Sequence, residues 1–138
     1  MAAETITAEA SPAGVSGIAA AFDRFSHRHA VPSRVTEAGQ VALDEVLSNI
    51  VKAGFEPGSA GRIDVSFELA GPVLEIVVGY NGAPFDPLAR KDPDTRASLD
   101  DRAVGGLGIY LVKKLMDEVV YERVGGDNRL RMTKRIDR

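Results

Sequence analysis

Residues 104–112 read Val-Gly-Gly-Leu-Gly-Ile-Tyr-Leu-Val, with three glycines directly before an apolar run. Glycine allows backbone angles that are closed to other residues and lets the main chain approach a ligand closely. The apolar residues that follow have helical spacing, which predicts a helix from about Leu107 to about Asp117. The first amides of a helix lack internal partners and attract anions, so the stretch is a candidate phosphate-binding loop. A tight turn before a helix has the same pattern, and the rest of the chain must decide between the two.

The composition is typical of one compact domain. The chain has 138 residues, 44% of them hydrophobic, and a net charge of -3, which argues against general nucleic-acid binding. It contains no cysteine, which excludes disulfides, cysteine zinc sites and thiol catalysis. No apolar run approaches the length of a membrane span, about 18 residues. Residues 1–5 lack the basic stretch and apolar core of a signal peptide, so we expect a soluble cytoplasmic protein.

The first part of the chain predicts one strand and two helices. Residues 5–10 are a short strand candidate. A helix then begins at Ser11 and Pro12, because serine caps the first amides and proline tolerates the first turn. A second helix runs from Ser33, its candidate cap, up to Gly54, which ends it.

The second helix has two different faces. At about 100° per residue, one face gathers four apolar side chains: Leu43, Val46, Leu47 and Ile50. The opposite face gathers Glu45, Asn49 and Lys52 at spacings of four and three. The helix therefore builds core on one side and presents a carboxylate, an amide and an amine on the other. Taken alone, that polar side also fits an ordinary solvated helix face.

Alternating apolar and polar residues predict four further strands. Residues 63–69 and residues 74–80 each place apolar side chains on one face, and the turn at 70–72 makes them an antiparallel hairpin. Residues 119–124 and 130–136 predict a second hairpin at the end of the chain. Each strand has one apolar face, so we expect a two-layer α/β sandwich: a mixed, mainly antiparallel sheet with helices on one face.

A long polar segment separates the first hairpin from the glycine stretch. Residues 88–103 are mostly charged or small, and a segment of this kind inside a small domain is usually functional, often a lid, or disordered. We therefore predict a lid over about residues 88–104. Its charges favour a solvated segment over a nucleic-acid patch.

Three blocks in this order resemble the GHKL ATPase/kinase superfamily. Residues 44–52, Asp-Glu-Val-Leu-Ser-Asn-Ile-Val-Lys, resemble its asparagine box, residues 79–87 its adenine block, and residues 105–108 its phosphate-binding glycine block. The Pro-Phe-Asp-Pro sequence, the Leu-Met-Asp-Glu-Val after the glycine helix and the last strand are similar to bacterial anti-sigma-factor serine kinases. The likeness covers about residues 5–136. Each block alone is weakly specific, whereas three blocks in this order at domain spacing are a fairly strong signal.

The resemblance implies a Bergerat fold that holds ATP between sheet, helices and lid, in a single histidine-kinase-like ATPase domain over residues 1–138. It also implies an anti-sigma factor that sequesters a sigma factor. Such a protein phosphorylates a serine or threonine of an anti-anti-sigma, STAS-type partner and so controls transcription by partner switching. The family resemblance further suggests a homodimer.

Site residues follow from the same resemblance. Glu45 would accept the hydroxyl proton, and Asn49 would offer its carbonyl oxygen to magnesium, with phosphates and water completing the octahedron. Lys52 would add positive charge near the pocket. The other nucleotide-binding positions implied are Tyr80, Gly82, Gly105, Gly106, Leu107 and Gly108.

Tyr80 departs from the family pattern, which has an aspartate here that accepts a hydrogen bond from the adenine amino group. Strand parity keeps Tyr80 on the inward face, but a phenol is neutral and bulkier. Losing a charged acceptor costs about 1–3 kcal/mol, or about 5- to 150-fold in affinity. Residues 52–55, Lys-Ala-Gly-Phe, are a second departure, since the family often has His-Ala-Tyr after the basic residue.

Two hypotheses therefore stand. In the first, the protein is an active ATP-dependent serine/threonine kinase in which the phenol replaces the carboxylate. In the second, it is a nucleotide-deficient pseudokinase of the same fold that regulates a partner by binding alone.

Overall fold

The computed structural model describes residues 2–55, 60–89 and 106–137. Their elements are β1 Ala2–Glu9, α1 Pro12–Arg28, α2 Ser33–Ala53, β2 Arg62–Ala70, β3 Val73–Tyr80, a 3-10 helix Pro87–Ala89, α3 Gly106–Leu115, β4 Glu118–Val124 and β5 Asp127–Arg135. The predicted succession of strand, two helices, hairpin, helix and hairpin is confirmed. Apart from the 3-10 helix, the predicted lid lies outside the described residues. None of the helices in the described ranges is long and apolar enough to cross a membrane.

The five strands form one sheet in the order β1-β2-β3-β5-β4. All four pairings are antiparallel, which agrees with the predicted, mainly antiparallel sheet. Strand β1 is longer than predicted, because it pairs with the whole of β2, from Ala2 opposite Leu69 to Glu9 opposite Arg62. Strand β3 lies at the centre, so its last residue, Tyr80, has a neighbour on each side.

The three helices cover one face of the sheet. The inward side chains of the sheet are fully or almost fully buried against α1, α2 and α3: Ile63, Val65, Phe67, Leu74, Ile76, Val78, Leu130 and Met132. From α1, the rings of Phe22 and Phe25 lie 5.2 and 5.6 Å from the ring of Phe67, centre to centre. The predicted two-layer α/β sandwich with helices on one face is therefore confirmed.

The helix ends agree with the sequence at most positions. Ser11 caps α1 as predicted, its hydroxyl oxygen accepting the N–H of Gly14 at 3.1 Å. The predicted cap at Ser33 is wrong, because Pro32 occupies the N-cap and Ser33 is the first helical residue. The carbonyl of Pro32, in an extended backbone, already accepts the first helical amides of α2. Helix α2 ends before Gly54 as predicted.

Helix α3 ends slightly earlier than predicted. Its last residue is Leu115, and the N–H of Asp117 donates to the carbonyl of Thr133 at 2.9 Å. Asp117 therefore bonds to the sheet, and the chain turns from α3 into β4 at this point.

Candidate functional site

The polar face of α2 meets the first turn of α3. Glu45 is half-buried on that face, and a Cβ atom added at Gly108 would lie only 2.7 Å from the carboxyl carbon of Glu45. A side chain at position 108 would force the Glu45 carboxylate, the end of a flexible side chain, to move aside, so glycine at 108 is what lets Glu45 lie against α3. The structure thus brings the predicted proton acceptor directly against the predicted glycine block.

Asn49 lies one turn after Glu45 on the same face of α2. Its side-chain nitrogen is buried and has no hydrogen-bond partner among the described residues. An unpaired buried amide costs free energy, so this group fits a partner that a bound ligand supplies. Its carbonyl oxygen is the type of ligand that magnesium prefers. Among the described residues no cluster of three or more His, Cys, Asp and Glu side chains could hold a metal.

The other predicted phosphate contacts are placed in part. Gly106 is the first residue of α3 and Leu107 the second, which puts both in the turn whose amides lack internal partners. Gly105 lies outside the described residues. Lys52 is exposed in the last turn of α2, where a basic residue also complements the helix dipole. Its contribution to the pocket stays a prediction.

Tyr80 ends β3 on the inward face, as strand parity predicts, and only 2% of it is exposed. Its phenol O–H donates to the carbonyl oxygen of Phe85 at 2.5 Å. Burial, and to a smaller extent Tyr121 and Asp86, raise the pKa of the Tyr80 phenol above its ordinary value. The phenol is therefore neutral at physiological pH. Because its O–H already donates to Phe85, only the lone pairs of its oxygen remain for a hydrogen bond to a ligand.

Gly82 makes the turn that follows β3. Its φ angle is +98°, a region that strongly favours glycine, and a Cβ atom there would lie 3.2 Å from the ring of Phe55. The glycine is thus required by the turn whatever its contact with a ligand. Beside it lies a cavity of about 260 Å³, lined by residues 53–55 and 82–85.

Asn128 is a buried polar residue next to the candidate site, and the sequence patterns assigned it no role. It occupies an inward position of β5, is 1% exposed, and hydrogen-bonds to backbone groups between Tyr80 and Phe85. The signal was present in the sequence, because residues 128, 130 and 132 share one face of the strand and only residue 128 is polar.

Comparisons with known proteins agree with this fold. Residues 8–134 match the family described as the histidine kinase-like ATPase domain. The serine/threonine-protein kinase BtrW of Bordetella bronchiseptica is 33% identical over 93 residues, 67% of this chain and 66% of that protein. The serine-protein kinase RsbW of Staphylococcus aureus is 34% identical over 95 residues, 64% of this chain and 60% of that protein.

A solved structure has the same fold. The crystal structure of the RsbU and RsbW domains of Rv1364c from Mycobacterium tuberculosis matches 99% of this chain and 32% of that chain, with a TM-score of 0.71 at 17% identity. The chain belongs to the histidine kinase-like ATPase domain family. The resemblance to RsbW-like serine kinases is confirmed at the level of the family, and the matches span only 60% to 66% of the two curated relatives.

Proposed function

We propose that this protein binds Mg-ATP and transfers the terminal phosphate to a serine or threonine of an anti-anti-sigma, STAS-type partner. In this proposal it acts in the cytoplasm as a homodimeric anti-sigma factor, which holds a sigma factor until that partner engages it. The observation that carries the proposal is one face of α2. There the Glu45 carboxylate packs on Gly108, and one turn away Asn49 has a buried amide nitrogen without a partner among the described residues.

Each residue of this face has a defined task in the proposed reaction. The side-chain oxygen of Asn49 would hold the magnesium ion, which when bound neutralises charge on the phosphates. The amides of the first turn of α3 would donate to the phosphate oxygens, since the N-terminus of a helix favours anions. The Glu45 carboxylate accepts the proton of the incoming serine or threonine hydroxyl. The oxygen of that hydroxyl bonds to the terminal phosphorus of ATP, and the bond from this phosphorus to ADP breaks.

The choice of substrate and partners rests on similarity. Both curated relatives named above are serine or serine/threonine kinases. The sigma factor and the STAS-type acceptor follow from the resemblance to anti-sigma kinases.

Tyr80 supports a second candidate function, that of a pseudokinase regulating a partner without phosphotransfer. A neutral phenol, hydrogen-bonded to Phe85, stands where the family pattern has a carboxylate. If the ring excludes the base, the fold acts as a protein-binding module only. Only the kinase transfers phosphate to a partner, so a phosphotransfer assay distinguishes the two functions.

The test is transfer of label from γ-labelled ATP to the STAS-domain proteins encoded in the same genome. We expect acid-stable phosphoserine or phosphothreonine on one of them. Glu45→Gln removes the proton acceptor and should lower the rate by about 10²- to 10⁴-fold. The matched control is Asp44→Asn, which removes a carboxylate from the neighbouring exposed position of α2 and should leave the rate unchanged. Folded protein that labels no acceptor, or a Glu45→Gln variant as fast as wild type, would contradict the proposal.

A further inference from the structure

One buried side chain organises the segment between β3 and the 3-10 helix. The amide nitrogen of Asn128 donates to the carbonyl oxygens of Tyr80 at 3.2 Å and Ala83 at 3.1 Å. Its carbonyl oxygen accepts the N–H of Phe85 at 3.0 Å and the phenol of Tyr121 at 2.5 Å. An asparagine side chain has two donor hydrogens and an oxygen with two lone pairs, so all of its hydrogen-bonding capacity is used.

The backbone partners fix the orientation of this amide. The N–H of Phe85 is only a donor, so the atom facing it must be the side-chain oxygen of Asn128. The carbonyls of Tyr80 and Ala83 are only acceptors, so they must face the nitrogen. Tyr121, from the neighbouring strand β4, adds a further donor on the oxygen side.

Residues 80–85 leave the sheet and lack a neighbouring strand for part of their length. Asn128 supplies three of their hydrogen bonds. Two more come from the Tyr80 phenol to the carbonyl of Phe85 and from Arg123 to the carbonyl of Gly82 at 3.0 Å. These five hydrogen bonds tie the segment to β4, to β5 and to itself, and three of the five come from the asparagine at position 128 of β5.

We propose that Asn128 is a positioning residue for nucleotide binding. It holds residues 80–85, which lie within the predicted adenine block at residues 79–87, in one conformation before a nucleotide arrives. The inference rests on the proposed function, since it assigns these residues to the base of the bound nucleotide. Fixing the segment during folding removes its ordering cost from the binding step, so Asn128 raises nucleotide affinity without touching the reacting atoms.

The experiment compares wild type with Asn128→Ala and with a matched control. Hydrogen exchange by NMR, without nucleotide, reads the protection of the Phe85 amide, and calorimetry with ATP and magnesium reads affinity. In Asn128→Ala the Phe85 amide should lose protection. ATP should bind about 10- to 100-fold more weakly, the size of the loss seen when the hydrogen-bonding partner of a metal ligand is removed. In phosphotransfer, KM for ATP should rise by the same factor while kcat stays within about twofold, because the reacting groups are intact.

The control is Arg129→Ala, which changes the next residue of β5. Its side chain lies on the opposite face of the sheet and is half-exposed, with an ion pair to Glu122 at 3.8 Å. Neither Phe85 protection nor ATP affinity should change in this variant. Asn128→Ser keeps one hydroxyl in the space of the amide and should lose part of the Phe85 protection and part of the ATP affinity. This variant tests the inference if the alanine variant does not fold.

The outcomes separate the inference from the function on which it rests. Wild type that binds no ATP overturns both, although protection of the Phe85 amide still reports whether Asn128 orders the segment. Wild type that binds ATP, with Asn128→Ala or Asn128→Ser of equal affinity, overturns the inference alone. A variant that loses kcat at unchanged KM also overturns it, since Asn128 would then act on the chemical step.

Discussion

The side chain at position 80 determines which hydrogen bonds hold the predicted adenine block at residues 79–87. A carboxylate buried there would need hydrogen-bond donors or a ligand to offset its desolvation. The phenol of Tyr80 instead stays neutral, fills the end of the core and donates to the carbonyl of Phe85. The substitution thus exchanges a charged acceptor facing a ligand for an internal hydrogen bond that orders the segment after β3.

This exchange predicts opposite effects of Tyr80→Asp on affinity and on stability. A carboxylate restores a charged acceptor, and this gain should exceed the loss of the ordering hydrogen bond to Phe85, so ATP should bind more tightly than to wild type, by up to about 150-fold. The free energy of unfolding should fall by about 3–5 kcal/mol, because a large buried ring is lost. Calorimetry and urea unfolding measure the two quantities. Unchanged ATP affinity in the folded variant would show that Tyr80 does not limit nucleotide binding.

At the scale of elements, α2 links the core to the candidate site. Its apolar face packs on the sheet and α1, and its polar face carries Asn49 and places Glu45 against Gly108 of α3. Two glycines lie where α2 meets the other helices, Gly39 against α1 and Gly108 of α3 against Glu45. A Cβ atom at Gly39 would lie 2.6 Å from the buried ring of Phe22 in α1, and one at Gly108 would overlap the Glu45 carboxylate. Gly39 therefore allows close packing of α1 on α2, and Gly108 leaves room for the Glu45 side chain.

The α1–α2 contact gives a matched pair of glycine substitutions. Gly39→Ala should destabilise the protein by about 1–3 kcal/mol, because the Phe22 ring is enclosed and cannot move aside. Gly17→Ala, in α1, meets nothing within 4 Å and should stabilise it by up to about 1 kcal/mol through helix propensity. Thermal and urea unfolding measure both changes. Equal effects of the same sign would contradict the packing described here.

At the scale of the whole molecule, local patterns predicted most of the fold. Apolar alternation identified the strands and placed Tyr80 inward, and helical spacing separated the two faces of α2. Three short blocks then predicted the family. These features depend on residues close together in sequence, so a single chain is enough to reveal them.

The features that were missed depend on strand order and on small differences in backbone geometry. Asn128 meets residues 80–85 only because β5, and not β4, pairs with β3. Sequence order does not determine that arrangement. The cap of α2 shifted from Ser33 to Pro32 because an extended proline carbonyl already starts the helix, which composition alone does not indicate.

We propose that the polar face of α2 and the first turn of α3 together bind Mg-ATP. Calorimetric titration of ATP and ADP, with and without magnesium, tests it most directly, with Asn49→Ala as the variant that removes the proposed magnesium ligand. We predict micromolar binding to wild type that depends on magnesium, and loss of that dependence in Asn49→Ala. Folded wild-type protein that binds no nucleotide at millimolar concentration would contradict the account and would favour the protein-binding module.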